Sequence, residues 1–238
     1  MIIKLEQVDS TNSYIRRRID TLPHGVLVLS HVQSGGRGRG GHSWLSPCGG
    51  LYMSLLARPY DESRPGHLSV AAAIAVYDAL IGFHRSLVLS LKWPNDILVH
   101  GGKLCGILCE CTHGAAIIGV GVNLFPVEDG DGMASLARLG VEPLAPERYA
   151  RAIRDSFFDA YALSGDMLTD RYRALCGTLG RMVDIHDGAS VKRGTAVGVD
   201  GEGMLVVECG GRLVTAYSGS IRYVNSEETE AGNHEDMA

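Results

Sequence analysis

Between Thr21 and Tyr60 the chain contains no aspartate or glutamate, although three arginines fall there. No acid in that stretch neutralises Arg37, Arg39 or Arg58, so the region is a candidate anion holder. Other absences narrow the function classes. No unbroken apolar run approaches the roughly 18 residues that cross a bilayer. Met1–Glu6 lacks the layout of a secretory signal. The six cysteines include no C-x-x-C pair, so they read as free thiols of a reducing, cytoplasmic compartment, not as a disulfide framework or zinc site. Basic excess is missing too. The formal charge of −5 resides in residues 225–238, which hold five acids and no lysine or arginine, and the remainder is neutral. Neither a membrane nor a broad nucleic-acid surface is expected.

What is present is concentrated in one segment. Gln33 to Pro47 reads Q-S-G-G-R-G-R-G-G-H-S-W-L-S-P, directly after the apolar run Val26–Leu29. Glycine lets backbone approach a ligand, and arginine offers a planar fork of donors to carboxylate or phosphate. The loop is not a Walker A loop, because no Gly-Lys-Ser/Thr follows, and Arg39 breaks the dinucleotide frame G-x-G-x-x-G. A solvated surface loop remains the alternative for this segment alone.

The pattern predicts a helix from Asp9-Ser10-Thr11-Asn12 to about Leu22, then strands at Val26–Val32 and Leu51–Ala57. A long apolar helix opens at Pro65, and its small residues suit close packing on a sheet. Short strands follow at 87–91, 97–99, 104–111 and 115–122, and Gly101-Gly102 gives a hairpin signal. Cys105, Cys109 and Cys111 fall on one side of their strand. Helices begin at Pro146 and near Asp166. After Gly177 only short β-type runs remain, broken at Asp187-Gly188, Asp200-Gly201 and Gly210-Gly211. The expected fold is α+β: a mixed, largely antiparallel sheet packed with helices, plus a small carboxy-terminal SH3-like β-barrel. The expected division is 1–176, 177–224, and a disordered acidic tail at 225–238.

Four segments in order resemble the biotin–protein ligases: Asp9-Ser10-Thr11-Asn12, the glycine–arginine loop ending Trp44-Leu45-Ser46-Pro47, Lys92-Trp93-Pro94-Asn95-Asp96, and Lys103-Leu104-Cys105-Gly106-Ile107-Leu108. Gly119-Val120-Gly121-Val122-Asn123 is compatible with a fifth. The resemblance implies an enzyme that uses ATP to activate biotin as biotinyl-5′-AMP and passes it to a lysine of a biotin carboxyl carrier protein domain. Such a site needs no Ser-His-Asp or Cys-His pair, because the biotin carboxylate is the first nucleophile. It must instead bring two anions together against their repulsion.

By resemblance, Ser10, Thr11, Asn12, Gln33, Gly36, Arg37, Gly38, Arg39, Lys103 and Gly106 surround biotin, the first three with helix capping as the alternative. Arg37, Arg39, Trp44, Lys92 and Asn123 face ATP or the adenylate. Lys103 and Arg39 are the expected catalytic groups, Arg39 retaining the intermediate. Asp96 either helps coordinate Mg²⁺, orients the acceptor amine, or forms an Asx-turn after Pro94. Trp44 either stacks on adenine or anchors the loop. Lys92 is a phosphate ligand or a partner of Asp96, and Asn123 either bonds adenine or ends its strand in a turn. Two departures stand out: His42 replaces a basic residue usual in the family, and Gly40 is commonly bulkier. With the first motif at Asp9, no amino-terminal DNA-binding domain is expected; a homodimer is left open. The rival readings are a lipoate or octanoate ligase on the same scaffold and a nucleic-acid module.

Overall fold

The computed structural model describes residues 1–61, 64–127, 132–187, 190–216 and 220–224. The tail at 225–238 and Gly188 of the first expected barrel turn lie outside the described residues. Two sheets organise the chain. The first holds β1 (Ile2–Val8), β2 (Leu27–Gln33), β3 (Leu51–Ala57), β4 (Leu89–Lys92), β5 (Asp96–Val99), β6 (Gly102–Thr112) and β7 (Ala115–Val122). Their spatial order is β1-β2-β3-β7-β6-β5-β4. Only the β1–β2 pair is parallel; the others are antiparallel.

The faces of β7 explain the layering. Ala116, Ile118, Val120 and Val122 enter the main core beneath α2 (Pro65–Phe83), α3 (Pro146–Tyr161) and α4 (Gly165–Leu175). Ala115 and Ile117 turn the other way, toward Ile15 and Ile19 beside α1 (Thr11–Arg16). Further along that second face stand Gly119 and Gly121, so the sheet there is bare. The alanines of α2 are buried at its contact with the core, as their size predicts. Residues 66–83 of α2 are long and apolar enough to cross a membrane when the helix is counted as a whole. The run is broken by His67, Ser69 and Asp78, and 67% of the segment is buried inside the protein.

The second sheet contains β8 (Met182–Asp187), β9 (Ser190–Val199), β10 (Leu205–Cys209), β11 (Arg212–Ala216) and β12 (Ser220–Tyr223), in the order β11-β10-β9-β8-β12. It is seamed to the first through Trp93. The Trp93 indole N–H donates to Gly203 O at 3.0 Å, and its backbone N–H donates to Thr178 Oγ1 at 3.1 Å.

Two expectations are corrected. The first helix ends at Arg16, not near Leu22: the chain then passes into tighter turns, with Arg18 N–H bonding Ile15 O and Thr21 N–H bonding Arg18 O, and Arg58 donates to the carbonyl oxygens of Ile19 and Leu22. Arg58 is thereby a structural clamp and no anion holder. The strand β1, absent from the expected element list, forms the parallel edge of the sheet.

Candidate active site

The bare patch on β6 and β7 floors a cavity of about 660 Å³. Gly106 and Gly121 face one another in register, and the Trp44 indole lies over both. A Cβ at Gly106 would come within 2.7 Å of the ring, and one at Gly121 would collide with its nitrogen. The Trp44 Nε1–H is buried and has no acceptor among the described residues. Trp44 thus both anchors the glycine–arginine loop and forms a wall of the cavity.

The amino end of α1 supplies a second wall. Ser10 occupies the cap position by its backbone, yet its hydroxyl makes no cap hydrogen bond, lines the cavity and has no hydrogen-bond partner among the described residues. Thr11 is fixed by Gln33, whose Oε1 accepts from the Thr11 N–H at 2.9 Å. Gln33 in turn donates to Ser46 Oγ at 2.9 Å, tying α1 to the far end of the loop. Asn12 sits over Gly119, where a Cβ would strike its carboxamide.

The cations enter from three elements. Arg39 stands on a 3-10 turn, Arg39–Gly41, whose Gly40 and Gly41 have φ of 62° and 81°, backbone that favours glycine. Among the described residues its guanidinium has no hydrogen-bond or ion-pair partner. Burial draws its pKa below the ordinary arginine value, although the group stays charged. It reaches both the main cavity and an adjoining one of about 260 Å³. Lys103, from β6, lines the main cavity with Nζ 5.1 Å from the Trp44 ring centre. Lys92, at the end of β4, is held 4.8 Å from the centre of the Tyr223 ring. Desolvation lowers its pKa, opposed by the charge of Asp96. His42, Gly38 and, from the second sheet, His186 and Ile221 also line the main cavity.

Residues 5–123 match the model of the Biotin/lipoate A/B protein ligase family, and residues 178–222 match the Biotin protein ligase C terminal domain. The chain belongs to the biotin/lipoate A/B protein ligase family. It is 30% identical to a biotin–[acetyl-CoA-carboxylase] ligase of Paracoccus denitrificans over 85% of this chain and 92% of that protein. Against the Mycobacterium tuberculosis ligase of the same name the identity is 33%, over 83% and 78% respectively. The biotin protein ligase of Aquifex aeolicus in complex with biotin and ATP superposes with a TM-score of 0.81 at 25% identity, over 94% of this chain and 99% of that one.

Within this family member the structure gathers most of the expected site residues around one cavity, including Arg37, Arg39 and Lys103. Three assignments change. Arg37 is not unneutralised: its Nη2 donates to both carboxylate oxygens of Glu110, at 3.1 and 3.2 Å. Gly36 does not line the cavity; it lies beneath the loop, where a Cβ would meet Ser46 Oγ at 2.7 Å. Asn123 lies behind the cavity wall, its amide donating to Lys103 O and Ala134 O at 3.3 and 3.1 Å.

Two residues escaped the sequence reading. Ser54 of β3 donates to Asn12 Oδ1 at 2.5 Å, and its oxygen lies 2.7 Å from Thr11 Oγ1. Glu110 shares its face of β6 with Gly106 and Leu108, and counting by twos from Gly106 reaches it. Asp96 pairs with Lys103, whose Nζ is 2.8 Å from Oδ1. Among the described residues no three metal-ligating side chains cluster.

Proposed function

We propose that this chain catalyses ATP-dependent biotinylation of a carrier-domain lysine, with the cavity over Gly106 and Gly121 holding biotin and the α-phosphate together. The supporting observation is a single cavity lined by Arg39, Lys92 and Lys103, whose positive charge is opposed at its wall mainly by Asp96. The biotin carboxylate oxygen bonds to the α-phosphorus as the bond to the bridging oxygen breaks, and pyrophosphate departs. Lys103 and Arg39 lower the repulsion between the two anions and stabilise charge at phosphorus. The lysine amine of the carrier then bonds to the acyl carbon, the acyl–phosphate bond breaks, the nitrogen loses its proton, and AMP leaves.

In this reading Ser10 Oγ and the remaining lone pair of Asn12 Oδ1 are the groups free to meet the ureido ring. Mg²⁺ arrives with ATP, and Asp96 contributes by orienting Lys103. The units 1–176 and 177–224 act as a catalytic domain and an SH3-like barrel, and the second supplies His186 and Ile221 to the ATP side. Six free thiols suit a cytoplasmic setting. The match of residues 178–222 to the Biotin protein ligase C terminal domain favours biotin over lipoate or octanoate.

The test is to mix the protein with ATP, a biotin carboxyl carrier domain and one of biotin, lipoate or octanoate. Carrier modified by biotin alone supports the reading; modification by lipoate or octanoate instead overturns it.

A further inference from the structure

Glu110 is the most connected polar side chain near the cavity, and nothing in the proposed chemistry uses it. Its carboxylate is largely shielded, with 17% of the side chain exposed. It accepts from Asn12 Nδ2 at 2.8 Å, from Arg37 Nη2 at 3.1 and 3.2 Å, and pairs with Arg16 of α1. Asn12 Nδ2 also donates to Leu108 O at 3.3 Å, which consumes both of its hydrogens. The Asn12 oxygen is consequently fixed toward Ser54.

These bonds close a circuit. From Arg37 in the loop it runs to Glu110 on β6, to Asn12 on α1, to Ser54 on β3, to Thr11, to Gln33 on β2, to Ser46, and to the carbonyl of Trp44 in the same loop. Gln33 ties down the carboxyl side of the loop, and Glu110 ties down the amino side. Between the two anchors stands Arg39, which has no tie of its own among the described residues.

We infer that Glu110 is a positioning residue: it orients the Asn12 carboxamide and clasps the glycine–arginine loop over the cavity through Arg37, so that the acyl-adenylate is retained. This rests on the ligase reading. Arg37 then serves the loop's closure and not the substrate charge, which falls to Arg39, Lys92 and Lys103.

Glu110→Gln tests the idea, because the amide oxygen still accepts from Asn12 while the charge that holds Arg37 and Arg16 is gone. Wild-type protein is first loaded with biotin and labelled ATP; formation of bound adenylate establishes the reading, and its absence sinks the reading itself. In Glu110→Gln, adenylate is expected to leave about tenfold faster, the loss of one charge-assisted bond, with KM for biotin raised and the single-turnover rate of adenylate formation at saturation within about twofold. Arg37→Gln, at a half-exposed position on the cavity rim, is expected to give the same release rate, and the double variant no more than either single one. Unchanged release in a folded Glu110→Gln protein, or fully additive effects of the two substitutions, would overturn the inference. If Glu110→Gln fails to fold, Arg37→Gln alone decides: faster release supports the clasp, unchanged release refutes it.

Discussion

Lys103 Nζ stands 2.8 Å from Asp96 Oδ1, across the β5–β6 pair and at the lining of the cavity, but off the line of a directed hydrogen bond. The pair keeps the ammonium in the cavity wall without engaging all three of its donors. A substrate anion can therefore share Lys103 without first displacing its partner.

Replacing Lys103 with Gln is expected to slow single-turnover adenylate formation by about 10²–10³, the scale of removing one preorganised donor from developing charge. Asp96→Asn should have the smaller effect, since it leaves the ammonium in place. Rapid-quench measurement of labelled adenylate checks both; equal losses would mean that Asp96 acts directly on the reactants.

Gly121→Val places side-chain atoms where the Trp44 indole now lies. The indole must move, and overpacking of this kind costs about 1–3 kcal/mol. Biotin binding by calorimetric titration is expected to weaken by at least about tenfold. Gly82→Ala, which meets open space on α2, should bind as wild type does. Undiminished binding by Gly121→Val would remove the glycine floor from the account.

Arg39→Gly removes the cation that reaches both cavities. Adenylate should escape into solvent and label nearby lysines on unrelated proteins, because an exposed mixed anhydride reacts without guidance. Mass spectrometry of a bystander protein reads this out; a labelling pattern still confined to the carrier would contradict the assignment.

Acid stability provides a check on the second sheet. Asp184 accepts from Arg193 at 2.7 and 2.8 Å across β8 and β9, and that hydrogen-bonded guanidinium holds its carboxyl below the usual range, against the effect of burial. With the folded pKa below the unfolded one, the contribution is present above the unfolded value and is lost as pH falls through the folded value. Asp184→Asn is expected to lose about 1 kcal/mol near neutral pH, the exposure of Arg193 limiting the size, and its deficit should shrink below about pH 4. Denaturant unfolding across that range checks the sign; a deficit that grows on acidification would contradict it.

Much of this architecture was legible because local and global preferences agree. The strands at Leu51–Ala57 and Ala115–Val122 fall where the apolar runs are bounded by glycine, and Pro65 opens α2 as expected. β1 was not legible: as an edge strand it alternates imperfectly, with Lys4, Glu6 and Gln7 among its apolar residues. The end of α1 reads too far along because Ile15, Ile19 and Leu22 keep a helical spacing and are all buried, although the chain runs in turns after Arg16. The candidate site divides the same way. Motif order brought Arg39, Lys103 and Trp44 to one cavity, whereas the neutralisation of Arg37 by Glu110 spans 73 positions. Asn123 looked like a ligand group because its partners, Lys103 O and Ala134 O, are supplied by other segments.

The claim that everything else requires is that one cavity joins a biotin carboxylate to the α-phosphate of ATP. Exchange of labelled pyrophosphate into ATP, measured without any carrier protein, tests it most directly. The account predicts exchange that depends on biotin and collapses in Lys103→Gln. Exchange that proceeds equally without biotin, or none at all from folded wild-type protein, would contradict it.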